Sequence, residues 1–320
     1  MLLKLAAVAL FCATAFTPSL AQTVFVSSEN DDSVNVFDAQ GQSLKTFATC
    51  LRPRHMALTR DQQRLLVLCG NSNLLAELDP KTGQLLDQTP VGNSPEIFAL
   101  SPDEDTVYVS IEDDGVMAAY SRSQKKQLFE IATGEEPEGV LVTPDGQTAY
   151  VTSEEDEVVH VIDLAQRKVL RDIPVGERPR RFMLHAQAKE LWVTNELSAS
   201  VSIIDTEAMA VKDTLNFSIQ GVRQNRITPV GIVMSRDGKS AWVALGQASH
   251  IAQVDLASKK VLKTVLVGKR PWGLALSPDG QTLYVTNGLS DDMTLVDTAS
   301  GKALRSVPTG RVPHTPLVMP

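Results

Sequence analysis

The sequence predicts an all-β chain folded as a seven-bladed propeller, on three observations: a period near 42 residues marked twice, four short strands in each period, and chain ends that are out of phase. The aromatic or apolar residue of one strand recurs at Phe25, Leu66, Tyr108, Tyr150, Trp192, Trp242 and Tyr284, spaced 41, 42, 42, 42, 50 and 42 residues apart. A proline recurs at Pro53, Pro95, Pro137, Pro179, Pro229, Pro271 and Pro313, spaced 42, 42, 42, 50, 42 and 42. Two independent markers thus share one period and one insertion. The repeat overrides length, which alone would suggest two domains for roughly 300 residues.

The last full unit shows the elements of a blade in order: "WGLALS", "TLYVTN", "MTLVD" and "KALRSVPT", rich in β-branched residues and separated by Asp-Gly, Asn-Gly and Ser-Gly turns. That pattern is a four-stranded antiparallel sheet. Seven such sheets, each apolar on both faces, bury themselves by closing into a ring. The chain enters on a second strand, "TVFVSS" from Thr23 to Ser28, and leaves on an innermost one, "VPHTPLVMP". The N- and C-terminal strands are therefore expected to complete one blade together, which removes the open sheet edges.

Residues 1–21 read as a cleavable signal peptide: Lys4, the apolar run Leu5 to Phe16, then Ser19-Leu20-Ala21 as the small-x-small site. The propeller occupies 22–320, with no membrane span expected in the mature chain and a periplasmic location. The net charge of −8 argues against a nucleic-acid partner, which needs a basic footprint. Beyond the leader only Cys50 and Cys69 remain, most simply one disulfide in an oxidising compartment. A loop of that length would contribute on the order of 3 kcal/mol in the chain-entropy picture. No haem-attachment or zinc-type spacing is present, and no metal site is expected.

The strands "YVTS" at Tyr150, "WVTN" at Trp192 and "YVTN" at Tyr284, with "SPDG" and the "VGxRPxG" turn, resemble the YVTN family of propeller repeats over essentially the whole mature chain. More narrowly, seven repeats, a leader, "LRPRHMALT" and the inserted "FSIQGVRQNRITPVGI" followed by "AWVALG" resemble the PQQ-dependent catabolism-associated β-propeller proteins. That resemblance implies association with quinoprotein alcohol oxidation and an ABC-type transporter. PQQ enters only through that association; the residues themselves name no cofactor.

In such a propeller the loops into each innermost strand and those joining second to third strands share one face at the channel mouth. The first set holds Arg52, Arg54, Arg178, Arg180, Arg181, Arg223, Arg226, Arg270 and Arg311; the second holds acids including Glu29, Glu112, Glu154 and Glu196. A basic inner ring within an acidic outer one is expected, suited to a small anionic ligand or an acidic periplasmic partner through guanidinium forks. Exposed pairs that merely neutralise each other are the alternative. The residue after each marker proline reads Arg54, Glu96, Glu138, Arg180, Val230, Trp272 and His314, and Arg54, Arg180, Trp272 and His314 would suit a planar aromatic acid. The insertion, roughly Asn216 to Thr228, is expected to bulge over this face as a lid or docking knob carrying Phe217, Arg223 and Arg226.

No nucleophile-base pair is identifiable from spacing. The leading functional expectation is therefore a non-catalytic periplasmic binding propeller. The alternative is a top-face enzyme, a lactonase-like hydrolase or a cofactor-linked oxidoreductase accessory, for which Glu96, Glu138 and His314 are the evident candidates.

Overall fold

The computed structural model describes residues 22–320, so the leader expected over residues 1–21 lies outside the described residues. Seven four-stranded antiparallel sheets form the molecule. Each innermost strand opens on its marker proline: Pro53–Leu58, Pro95–Leu100, Pro137–Val142, Pro179–His185, Pro229–Met234, Pro271–Leu276 and Pro313–Met319. In blade 1, Thr23–Ser28 pairs with Ser33–Asp38 on one side and with Pro313–Met319 on the other, Phe25 standing opposite Leu317. The two chain ends thus close the ring in one sheet, and blades 2 to 7 follow in sequence order.

Burial follows from the sandwiching of sheets. Second strands are buried on both faces, as Leu65–Cys69 is along its whole length, and the clusters lie between blades: Phe25 and Val36 of blade 1 pack with Met56, Leu65 and Val67 of blade 2. Outermost strands have no neighbour on one edge and expose most side chains; along Ser43–Ala48 only Phe47 is buried.

The hydroxyl of the "YVT" element has a specific task. Ser27, Ser110, Thr152, Thr194 and Thr286 each donate to the main-chain carbonyl of the residue after the marker proline in the next blade: Arg54 (2.7 Å), Glu138 (2.6 Å), Arg180 (3.2 Å), Val230 (2.8 Å) and His314 (2.7 Å). Buried hydroxyls and carbonyls need partners. Here the partnership crosses a blade junction and fixes the backbone of the channel-facing residues.

Every innermost strand also carries a register shift just after its proline. Between Pro53 and Met56 the strand advances three residues while its partner advances two, from Cys69 to Val67, and the other six repeat this. Such a bulge re-aims side chains. Two consecutive residues of an innermost strand can therefore both meet the channel.

Candidate functional site

The first residue after the proline and the loops above it line a cavity of about 300 Å³ at the channel mouth, walled by Arg54, Glu96, Glu138, Arg180, Trp272 and His314 with Arg52, Arg178 and Arg270 overhanging. The second residue builds a deeper cavity of about 220 Å³, where His55, Ile97 and Arg181 meet Trp272 and His314 from below. At blades 4, 6 and 7 that second residue is Gly139, Gly231 or Gly273. A Cβ there would lie 2.2, 2.2 or 2.3 Å from the carbonyl oxygen of Arg180, Trp272 or His314 in the next blade. Only glycine permits such close approach.

The expected basic ring inside an acidic one is corrected by the structure: the two are interleaved. Arg54 Nη1 donates to Glu96 Oε1 at 2.7 Å, and its Nη2 lies 4.0 Å from Glu138 Oε1. Arg180 Nε donates to Glu196 Oε2 at 2.7 Å, while its Nη1 reaches Glu138 Oε2 at 3.4 Å and pairs with Glu154. Arg181 pairs with Glu138, Arg178 with Glu154, and Arg52 with Glu29 at 3.2 Å. The physical reason is burial: Arg54, Arg180 and all their carboxylate partners are buried, and a buried charge without a partner costs several kcal/mol or more. These are not loose surface pairs, and neither are they free guanidiniums awaiting a ligand.

Arg270 makes no ion pair among the described residues; its guanidinium carbon sits 4.8 Å from the centroid of the Trp272 ring system, and that of Arg180 5.4 Å from it. The indole offered by the sequence for ligand stacking already carries two cations. Arg223 and Arg226 are exposed and line neither central cavity, so they do not join the site. Their insertion is anchored at its ends, where Phe217 and Ile227 are buried among Leu215, Val243 and Leu245, and Gln224 Nε2 donates to the Phe217 carbonyl at 3.0 Å, while most of residues 218–226 are exposed. Arg311 pairs on the surface with Asp31 at 2.6 Å. Cys50 and Cys69 form a disulfide with Cα atoms 5.8 Å apart, next to the Gly70 N–H that donates to the Arg52 carbonyl at 2.9 Å. The bridge therefore anchors the loop bearing Arg52 and Arg54.

This packing drives protonation states apart. Burial and the neighbouring Glu138 carboxylate push Glu96 up to about 9 against the pull of Arg54 and Arg52. Burial and Glu138 likewise push Glu154 up to about 8. Burial also acts to raise Glu138, but the Arg181, Arg180 and Arg54 guanidiniums outweigh it and hold that carboxyl well below its usual range. Burial, then the Arg54 and Arg181 charges, keep His314 well below the usual imidazole value; burial and Arg181 bring His55 down to about 3. His314 Nδ1 lies 2.8 Å from the Thr315 hydroxyl, and its Nε2 lies 3.4 Å from Arg181 Nη2.

Pairing was expected only as exposed neutralisation, and which groups pair was not read from the sequence, although the signal was present: Arg54 and Glu96, and Glu138 and Arg180, stand one 42-residue period apart, so equivalent residues of adjacent blades are neighbours around the channel. Arg181 was among the expected arginines, but its meeting with His55 in a deeper cavity depends on the bulge. Among the described residues no group of three or more His, Cys, Asp or Glu side chains could hold a metal, and no helix is long and apolar enough to cross a membrane.

A seven-bladed channel with buried acids, a neutral histidine and guanidiniums at its mouth is the setting in which family relationships become informative. The lactonase, seven-bladed β-propeller family matches residues 143–318, more than half of the chain, and the chain belongs to it. Among solved structures the chain is similar to the periplasmic gluconolactonase PpgL of Pseudomonas aeruginosa (21% identity, TM-score 0.79, 93% of this chain and 99% of that one). It is similar also to a candidate 6-phosphogluconolactonase of Bacteroides fragilis (16%, 0.79, 95% and 100%) and to hydrazine synthase of Kuenenia stuttgartiensis (20%, 0.72, 82% and 88%). At these identities the likeness is one of fold. No curated protein matches the sequence. Membership of a lactonase family overturns the expectation of a non-catalytic binding propeller and favours the hydrolase alternative.

Proposed function

We propose that the protein hydrolyses a sugar-type lactone in the mouth cavity. The observation that carries this reading is the meeting of Glu96, His314, Arg54 and Arg180 on one cavity wall, where burial and Glu138 push Glu96 up to about 9 while burial and the arginine charges hold His314 below its usual value. Pairs of titratable groups driven apart in this way are the mark of acid and base roles. His314 takes a proton from water as the oxygen attacks the lactone carbonyl carbon, and Arg54 or Arg180 receives the charge that develops on the carbonyl oxygen. The ring C–O bond then breaks, Glu96 protonates the departing alkoxide, the proton held by His314 is returned through solvent to Glu96, and the hydroxy acid formed releases its carboxyl proton to solvent. Arg181, in reach of Glu138 and of His314 Nε2, positions both.

The family description and the gluconolactonase title of the similar structure support the substrate class. A periplasmic location is supported by the leader-like start, by the disulfide and by the location in that title. The link to quinoprotein catabolism rests on the motif resemblance alone. PQQ is a polycarboxylate quinone, and Arg52, Arg54, Arg178 and Arg180 are already engaged by glutamates, so no step is assigned to it. The test is pH-stat titration of δ-gluconolactone at pH 7, with spontaneous hydrolysis subtracted. The wild type is expected to accelerate hydrolysis and His314→Gln to lower kcat by about 100-fold. Absence of acceleration by the wild type overturns the reading.

A further inference from the structure

The two central cavities differ in chemistry. Four glutamates, Glu29, Glu96, Glu112 and Glu138, line the mouth, whereas no carboxylate lines the deeper cavity. There Arg181 is the single arginine, lysine or carboxylate residue on the wall; its Nη1 pairs with Glu138, its Nη2 lies 3.4 Å from His314 Nε2, and His55 lines the same cavity. The remaining wall is apolar, from Ile97, Val140, Phe182, Ile232 and Leu274, completed by the backbone at Gly231 and Gly273. His55 Nδ1 faces the Phe98 N–H at 3.5 Å and its ring meets Phe98 edge-on at 4.7 Å, which leaves Nε2–H as a donor.

We propose that this deeper cavity binds a small monocarboxylate with an apolar body, aromatic or branched, below the lactone at the mouth. Its carboxylate is recognised by Arg181, whose guanidinium it shares with Glu138, with His55 as second donor, and its body lies against the Ile97 and Phe182 side. A guanidinium and a neutral imidazole N–H both donate to a carboxylate. Burial and Arg181 both keep the His55 imidazole neutral, so Arg181 supplies the positive charge of the site.

The probe is benzoate, with benzamide as its uncharged isostere, titrated calorimetrically into the full-length mature protein. Benzoate is expected to bind saturably, and benzamide about ten-fold or more weakly. Ile97→Phe, which fills the cavity without touching the mouth, is expected to weaken benzoate about ten-fold, as is Arg181→Met. Circular dichroism establishes that each variant is folded, and Ile97→Phe alone suffices if Arg181→Met is not. Equal binding of benzamide and benzoate, unchanged benzoate binding by folded Ile97→Phe, or no saturable benzoate binding overturns the proposal.

Discussion

Glu138 is the hub of the buried charge network, and Glu138→Gln tests it. The side chain is buried and contacts three guanidiniums: Arg180 at 3.4 Å, Arg54 at 4.0 Å, and Arg181. The Glu138 charge helps to hold Glu96 and Glu154 protonated, so on its removal Glu96 ionises against Arg54, and Glu154 with Glu196 against Arg180, but Arg181 loses its one carboxylate among the described residues. Stranding this half-buried charge costs about 3 kcal/mol, the lower end of the range for a broken buried pair, because Arg181 keeps some solvent access. With an unfolding entropy of roughly 2 cal/mol/K per residue, a chain of about 300 residues has roughly 0.6 kcal/mol/K, so Tm should fall by about 5 °C. The assay is calorimetric unfolding of wild type, Glu138→Gln, and the exposed control Glu155→Gln. Adding Arg181→Met to Glu138→Gln removes the stranded charge and is expected to recover most of the loss. A Glu138→Gln Tm no lower than that of Glu155→Gln would show that Glu138 does not hold the network together.

Three further predictions follow the same geometry. Because Glu96 must carry its proton to act as the acid, and burial beside Glu138 pushes it up to about 9, lactone hydrolysis should hold through neutrality and decline as pH rises through about 9; initial rates against pH check this, and Glu96→Gln should lack that limb and lie about 100-fold lower. Thr152 accepts from the Gly139 N–H at 2.7 Å and donates to the Arg180 carbonyl at 3.2 Å, so Thr152→Val should lower stability by about 2 kcal/mol for two groups left unpaired, measured by urea unfolding. Gly231→Ala drives a Cβ to 2.2 Å from the Trp272 carbonyl oxygen and should cost about 3 kcal/mol, whereas Gly238→Ala, at φ +67° with nothing within 4 Å, should cost about 1 kcal/mol; paired urea curves decide between them.

The architecture was legible because ring closure imposes a period, and the period is written twice, in the prolines and in the "YVT" strands. Even the shared closing blade was visible, since Thr23–Ser28 is a second strand with no first before it among the described residues. The site was legible only in part. The residues after the prolines mostly meet at the mouth, but their pairing depends on which blades adjoin, so for Arg54 and Arg180 ligand binding and neutralisation in exposed pairs both stood open, whereas each is buried among glutamates. Arg181 was named among the loop arginines, but its place beside His55 was not, because the bulge that brings both to the channel leaves no residue-type signature. The insertion's length gave no sign that Phe217 and Ile227 at its ends pack into a blade junction.

The most direct measurement is a crystal structure of the mature protein soaked with gluconolactam, a lactone mimic that the proposed chemistry would not open. The lactam ring is expected in the mouth cavity, with its carbonyl oxygen within hydrogen-bond reach of Arg54 or Arg180 and its ring N–H facing Glu96. A lactam bound outside the channel, or in the deeper cavity with the mouth left to solvent, would contradict lactone hydrolysis at the mouth.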